Sequence, residues 1–172
     1  MIVPGVSLLT RRIVQNLQHP ILQSQPCGVD LTLRHVLEWT SPGTIDFSNQ
    51  HRKTAHTSLI PFTETKLPNG ETCMAVHLKQ NSYLVEFNET VEMPLDEMGQ
   101  VFVRSTLFRS GALVSAGVMD SGYHGAMGAL LMVLNPHGIV LHQGARLAQF
   151  VNHKMSEPVK GYSGVYQGKT KI

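Results

Sequence analysis

Ala116-Gly117-Val118-Met119-Asp120-Ser121-Gly122-Tyr123-His124-Gly125 places one carboxylate between two apolar runs, Ala112–Met119 and Ala126–Leu134. Both runs are too short for core helices and are rich in strand formers or small residues, which predicts a β-hairpin. Gly122 and Gly125 supply turn conformations, and Asp120 would sit at the hairpin mouth beside the aromatic Tyr123. There it could hold a water or a sugar hydroxyl against the ring. An Asp in such a turn can equally well do no more than cap it, by bonding its own backbone.

Working outward, turn residues separate further short strands at about 73–79, 82–88, 100–104, 138–142 and 146–152, and Val29, Leu31 and Leu33 alternate with the period of a strand. Residues 40–72 are polar, with scattered Pro and Gly, and read as loops and short edge strands. Apolar residues at 8, 9, 13 and 17, with Ser7 or Thr10 as a cap, predict one N-terminal helix within residues 1–20. Many short strands and one helix point to a mainly β protein, a distorted antiparallel β-barrel or jelly roll. With 172 residues and no repeat or linker, the expectation is a single domain, with residues 158–172 as a flexible C-terminal lid.

Composition narrows the function classes. Hydrophobic residues make up 42% and charged residues 15%, enough for a packed core and against global disorder. So little charge also suggests that part of the surface is covered in an oligomer. A net charge of +2 is far from that of a dedicated nucleic-acid binder. No apolar run is long enough to span a bilayer, and Arg11-Arg12 follows a short apolar stretch, the wrong order for a secretory signal. Cys27 and Cys73 lack C-x-x-C spacing and read as free thiols in a reducing compartment, so the expected location is cytoplasmic. The nine His show no H-E-x-x-H or compact cluster, which argues against a metal held by protein ligands.

Two further segments carry chemistry. In Arg104-Ser105-Thr106-Leu107-Phe108-Arg109-Ser110-Gly111, Ser105 can cap a short helix ended by Gly111. Its free N–H groups, two hydroxyls and two guanidiniums would suit a phosphate; the alternative is a capped helix whose arginines pair with carboxylates. Arg146 and Gln149 lie three apart in a strand and are expected to face opposite ways, so that only one of them points at a given site. The Gly- and Tyr-rich tail, with Tyr162, Tyr166, Gln167 and Lys169, reads as a frayed end or as a lid that orders over a ligand.

In chain order these segments resemble the trimeric dUTPase and dCTP deaminase superfamily, in its deaminase-like dUTPase branch. Gln25-Pro26-Cys27-Gly28-Val29-Asp30-Leu31 is similar to its "Q-P-x-x-x-D-L", and Arg104–Arg109 to "R-S-S-L-x-R". Ala116–Gly125 is similar to "A-G-x-I-D-x-x-Y-x-G", Gly144-x-Arg146-x-x-Gln149 to "G-x-R-x-x-Q", and Tyr166-Gln167-Gly168 to "Y-Q-G". The resemblance implies a homotrimer with active sites shared between subunits, and Mg²⁺ held by the substrate's triphosphate. It implies that Asp120 activates the attacking water and that Tyr123 packs on the deoxyribose. Arg104, Ser105, Thr106, Arg109 and Gln149 would hold phosphates, while Tyr162, Tyr166 and Gln167 close the tail. Backbone groups around Ala116 and residues 128–130 would select uracil, and Asp30 would be structural or close to the metal.

The superfamily's deaminases carry a proton-shuttling Glu five residues beyond the glycine that matches Gly125; here that position is Leu130. Leucine cannot move a proton, whereas diphosphohydrolysis needs mainly an oriented water and neutralised phosphates. The expected activity is therefore hydrolysis of dUTP to dUMP and diphosphate. The alternatives are a dCTP deaminase or a nucleotide-binding regulator without turnover.

Overall fold

The computed structural model describes residues 1–172. In chain order the elements are β1 (Ile2–Val3), α1 (Gly5–Thr10), β2 (Val14–Gln15), α2 (Pro20–Gln23), β3 (Ser24–Gln25), β4 (Gly28–Trp39), β5 (Thr57–Ile60), β6 (Thr63–Lys66), β7 (Thr72–Leu78), β8 (Asn81–Glu92), β9 (Glu97–Val103), α3 (Ser105–Arg109), β10 (Ala112–Ser115), β11 (His124–Val133), β12 (Ile139–His142) and β13 (Arg146–Lys154). Every strand pairing is antiparallel. The main sheet runs β1-β13-β4-β8-β11-β10, with β9 on β13 and β2 on β8, and β12-β7-β6 form a second, small sheet. The mainly β expectation holds.

β4 and β8, the two 12-residue strands, lie side by side at the centre. Val29, Leu31 and Leu33 of β4 pack with Val85 and Phe87 of β8, Leu131 of β11 and Phe150 of β13 in the core. The alternation that predicts β4 is therefore its core-facing set. Apart from Thr72, which opens β7, the 40–72 region contributes only β5 and β6 to the sheets, as its polar composition suggests.

The single N-terminal helix is corrected to two short ones, α1 and α2, while the short helix expected before Gly111 is present as α3. α1 ends at Thr10 because Arg12 takes a left-handed φ of 57°. The Ile13 N–H then bonds Leu8 O at 2.9 Å and the Arg12 N–H bonds Leu9 O at 3.0 Å, a Schellman stop. Leu8 and Ile13 are both core residues, so the stop carries its usual apolar contact. Val14 continues into β2 and pairs with Val91 of β8. Apolar spacing at 8, 9 and 13 serves a helix followed by this stop as well as it serves an unbroken helix.

The hairpin is present, with Ala112 opposite Val133 and Ser115 opposite Leu130. Its first strand is shorter than expected: β10 ends at Ser115, and residues 116–123 form a long connection in place of a tight turn. Met119 in that connection exchanges two backbone bonds of 2.9 Å with Gly99 of β9, which pins the loop across the sheet.

Candidate active site

Pinning Met119 aims the next residue, Asp120, into a cleft of about 420 Å³. Residues 117–120, residues 126–128 and the rings of Tyr123, Tyr162 and Tyr166 line it. Asp120 supports its turn only through its backbone carbonyl, which accepts the Tyr123 N–H at 3.1 Å. The neighbouring Ser121, not Asp120, ties the loop down by side chain: it is buried and donates to Glu97 O at 2.7 Å. The Asp120 carboxylate is exposed and makes no hydrogen bond or ion pair with the protein. Capping therefore does not explain it.

Tyr123 is fixed from two sides. Its hydroxyl donates to Ala126 O at 2.8 Å, and its ring meets Tyr162 edge-on at 5.6 Å. Burial, with Tyr162 beside it, pushes its phenol above the ordinary value, so it stays protonated and a donor. The tail runs along the hairpin. Tyr162 N–H donates to Ser121 O, Gln167 Nε2 to Gly122 O, Gly168 N–H to His124 O, and Ala126 N–H to Lys169 O, at 2.7–2.9 Å. Gly122 is required at this crossing: its φ is +75°, and a Cβ there would lie 2.7 Å from Gly161 Cα. Tyr162 and Tyr166 thus line the cleft, whereas Gln167 does not and bonds the backbone of Gly122 and His124.

The expected phosphate-binding residues form a separate group. Asp30, 1% exposed, receives Arg104 Nε at 3.1 Å and Arg146 NH1 at 3.2 Å. Gln149 lies directly opposite Asp30 across the β13–β4 ladder, with its amide beside this carboxylate. Burial pushes the Asp30 carboxyl above its ordinary value, against the pull of Arg104, Arg146 and Gln149. The expectation that Arg146 and Gln149 face opposite ways is corrected. Arg146 pairs with Thr32 and Ala148 with Leu31, so one extra residue of β13 makes a β-bulge between them. The bulge shifts the alternation by one residue and brings both side chains to Asp30.

Ser105 is corrected as well: it is the first residue of α3, and the N-cap is Arg104, which makes no side-chain cap bond. The Ser105 and Thr106 side chains are left exposed, and Arg109 lies over Phe108 at 5.7 Å. None of Arg104, Ser105, Thr106, Arg109 or Gln149 lines the Asp120 cleft. Ala116 lines an adjoining recess of about 360 Å³ that also holds Leu130.

Asp120 is the only acidic side chain lining either the cleft or this recess. No three His, Cys, Asp or Glu side chains converge on a metal-sized space. A single carboxylate beside the cleft is a donor set suited to a hard cation that arrives on phosphate oxygens and keeps several waters.

A family model described as dCTP deaminase-like matches residues 7–155. The chain belongs to this family. Among its relatives is a probable deoxyuridine 5'-triphosphate nucleotidohydrolase of Archaeoglobus fulgidus, 37% identical over 147 residues, covering 86% of this chain and 82% of the relative. The deoxyuridine 5'-triphosphate nucleotidohydrolase of Methanocaldococcus jannaschii is 34% identical over 148 residues, covering 86% and 88%. The family fold is also seen in the crystal structure of the 2'-deoxycytidine 5'-triphosphate deaminase of Agrobacterium tumefaciens, with a TM-score of 0.60 and 19% identity. That match covers 88% of this chain and 47% of the deaminase, so the chain spans about half its length.

Two features of the site escape sequence reading. Glu89 is fully buried and accepts from Gln23 Nε2, Thr32 Oγ1 and Thr32 N at 2.6–2.8 Å. Because Gln23 also donates to Asp30 O at 2.9 Å, Glu89 braces the strand that carries the ion cluster. A Glu between Phe87 and Val91 in an apolar strand is the signal that could have flagged it. Arg52, over the Tyr166 ring, has no such signal.

Proposed function

We propose that this chain is a dUTP diphosphatase, converting dUTP and water to dUMP and diphosphate. The observation that carries the reading is the unpartnered carboxylate of Asp120 in an aromatic cleft that offers no second acidic side chain. Asp120 accepts a proton from a water as its oxygen bonds to the α-phosphorus; the bond from that phosphorus to the bridging oxygen breaks, and diphosphate leaves. One oriented base and neutralised phosphates suffice for this step. Mg²⁺, carried on the triphosphate, neutralises charge there.

Tyr123 packs on the deoxyribose, and Ala116 with the backbone of residues 128–130 reads uracil. Tyr162, Tyr166 and Gln167 close residues 158–172 over the nucleotide as a lid. Arg104, Ser105, Thr106, Arg109 and Gln149 hold phosphates. Because they lie outside the Asp120 cleft of their own chain, a jelly-roll homotrimer that shares its sites between subunits accounts for both groups. Each subunit acts as one domain, and the free Cys27 and Cys73 suit a cytoplasmic enzyme. Leu130, facing Leu84 and Ser115 across the strands, leaves cytosine deamination without a proton carrier.

The test offers dUTP and dCTP with Mg²⁺ and measures diphosphate and ammonia separately. Diphosphate from dUTP, lost in Asp120→Asn, is the expected result. Ammonia from dCTP would refute the Leu130 reasoning, and tight dUTP binding without turnover would make the chain a regulator.

A further inference from the structure

Between β4 and β5 the chain makes an excursion, residues 40–56, that none of the chemistry above uses. It is a built hairpin. Thr44 and Lys53 exchange backbone bonds of 2.8 and 2.9 Å, and the His56 N–H donates to Ser41 Oγ at 2.8 Å. At the tip the Asp46 carboxylate accepts from the Ser48 hydroxyl and from the amides of Gln50 and His51. Little burial holds it, since Ile45 and Phe47 are 93% and 107% exposed. A unit held by a short ladder and not by core packing opens at low free-energy cost.

The inner edge of this hairpin meets the cleft. The Arg52 guanidinium carbon sits 5.9 Å from the centroid of the Tyr166 ring, within cation–π range. Arg52 makes no ion pair, so the ring is what holds it. Two residues on, Thr54 joins Leu130 and Ile172 in lining the recess beside the Asp120 cleft. Tyr166 is a wall of both spaces. The hairpin and the tail therefore touch at the ring that borders the nucleotide's place.

We propose that residues 40–56 form a second lid over the cleft, latched to the C-terminal tail by Arg52 on Tyr166. Arg52 is a positioning residue, and the lid's role with substrate rests on the hydrolase reading above. The hairpin alone is weakly held, while the tail is bonded along the β10–β11 hairpin; joined at Tyr166, they open and close together, so the latch raises the population of the closed cleft that retains nucleotide.

Arg52→Ala and Arg52→Lys in the full chain test this with two readouts. Without ligand, hydrogen exchange at the Tyr162 and Gly168 amides is expected to quicken about fivefold in Arg52→Ala, the order expected for losing a partly exposed cation–π pair. KM for dUTP is expected to rise by about the same factor, kcat to stay within about twofold, and Arg52→Lys to recover most of both because an ammonium keeps its charge over the ring. Unchanged tail exchange in Arg52→Ala overturns the latch whatever the chain hydrolyses. Faster exchange with an unmoved KM overturns the lid. Faster exchange in Arg52→Ala, alongside a wild-type chain that cleaves no dUTP, refutes the hydrolase reading instead and leaves the latch standing.

Discussion

Asp120 and Asp30 each follow an apolar residue in a strand-rich stretch of sequence, and the folded chain treats them in opposite ways. Asp30 is buried and held by two guanidiniums. Asp120 stands exposed in a cleft with no protein partner. A carboxylate whose bonding capacity is filled from within is committed to architecture. One that the fold exposes and leaves unfilled is available to water and substrate.

The most direct way to break this contrast is to neutralise each carboxylate in turn. Asp120→Asn is expected to lower kcat for dUTP by about 10²–10⁴, the range for losing a general base. Its unfolding free energy should stay within about 0.5 kcal/mol of wild type, as for a surface change that breaks no contact. A large loss of stability would mean that Asp120 is structural after all.

Asp30→Asn should do the reverse. Breaking a fully buried ion pair costs about 3–5 kcal/mol. Arg104 and Arg146 are 26% and 36% exposed and can turn to water, so about 2 kcal/mol is expected, read from the urea midpoint. An unshifted midpoint would show that the cluster serves only to present its arginines.

Glu89 sharpens the contrast through pH. Burial raises its carboxyl above the ordinary 4.5, against the hydrogen bonds from Thr32 and Gln23. The folded state then binds the proton more tightly than the unfolded chain does. Its contribution to stability is full below 4.5 and is lost as pH rises through the raised value. Glu89→Gln should flatten the decline of the urea midpoint from about pH 4.5 upward. An identical profile in the variant would assign that decline to other groups.

The smallest effect is expected at the cleft's rim. Tyr123→Phe removes one hydrogen bond, to Ala126 O. It should cost about 0.5–1.5 kcal/mol of stability, with the ring's packing against Tyr162 retained. A loss of activity far beyond that would give the hydroxyl a part in the reaction.

Much of this was legible in the sequence. Period-two patterning marked β4, turn-bounded spacing marked strands at β8 and β13, and the apolar runs around Asp120 marked the hairpin. The helix extent was not legible, because Arg12 adopts a left-handed backbone that residue type does not advertise. Nor was the shared direction of Arg146 and Gln149, since counting alternate residues assumes an unbroken ladder and β13 carries a bulge. Arg52 on Tyr166 and Gln23 on Glu89 join residues far apart in the chain, and no local pattern encodes such pairs.

The sequence by itself determined a mainly β chain, a hairpin with one carboxylate at its mouth and a following strand that carries Leu130 where a proton carrier would be needed. The first two rest on local periodicity, and the third on the resemblance that marks the position together with leucine's lack of an ionisable group, none of which changes with context. Only the tertiary structure decided which acid is neutralised and which is free, and that the arginine cluster and the Asp120 cleft lie apart on one chain. A carboxylate's role follows from the donors within about 3 Å of it, and those donors arrive from strands that the chain brings together only on folding.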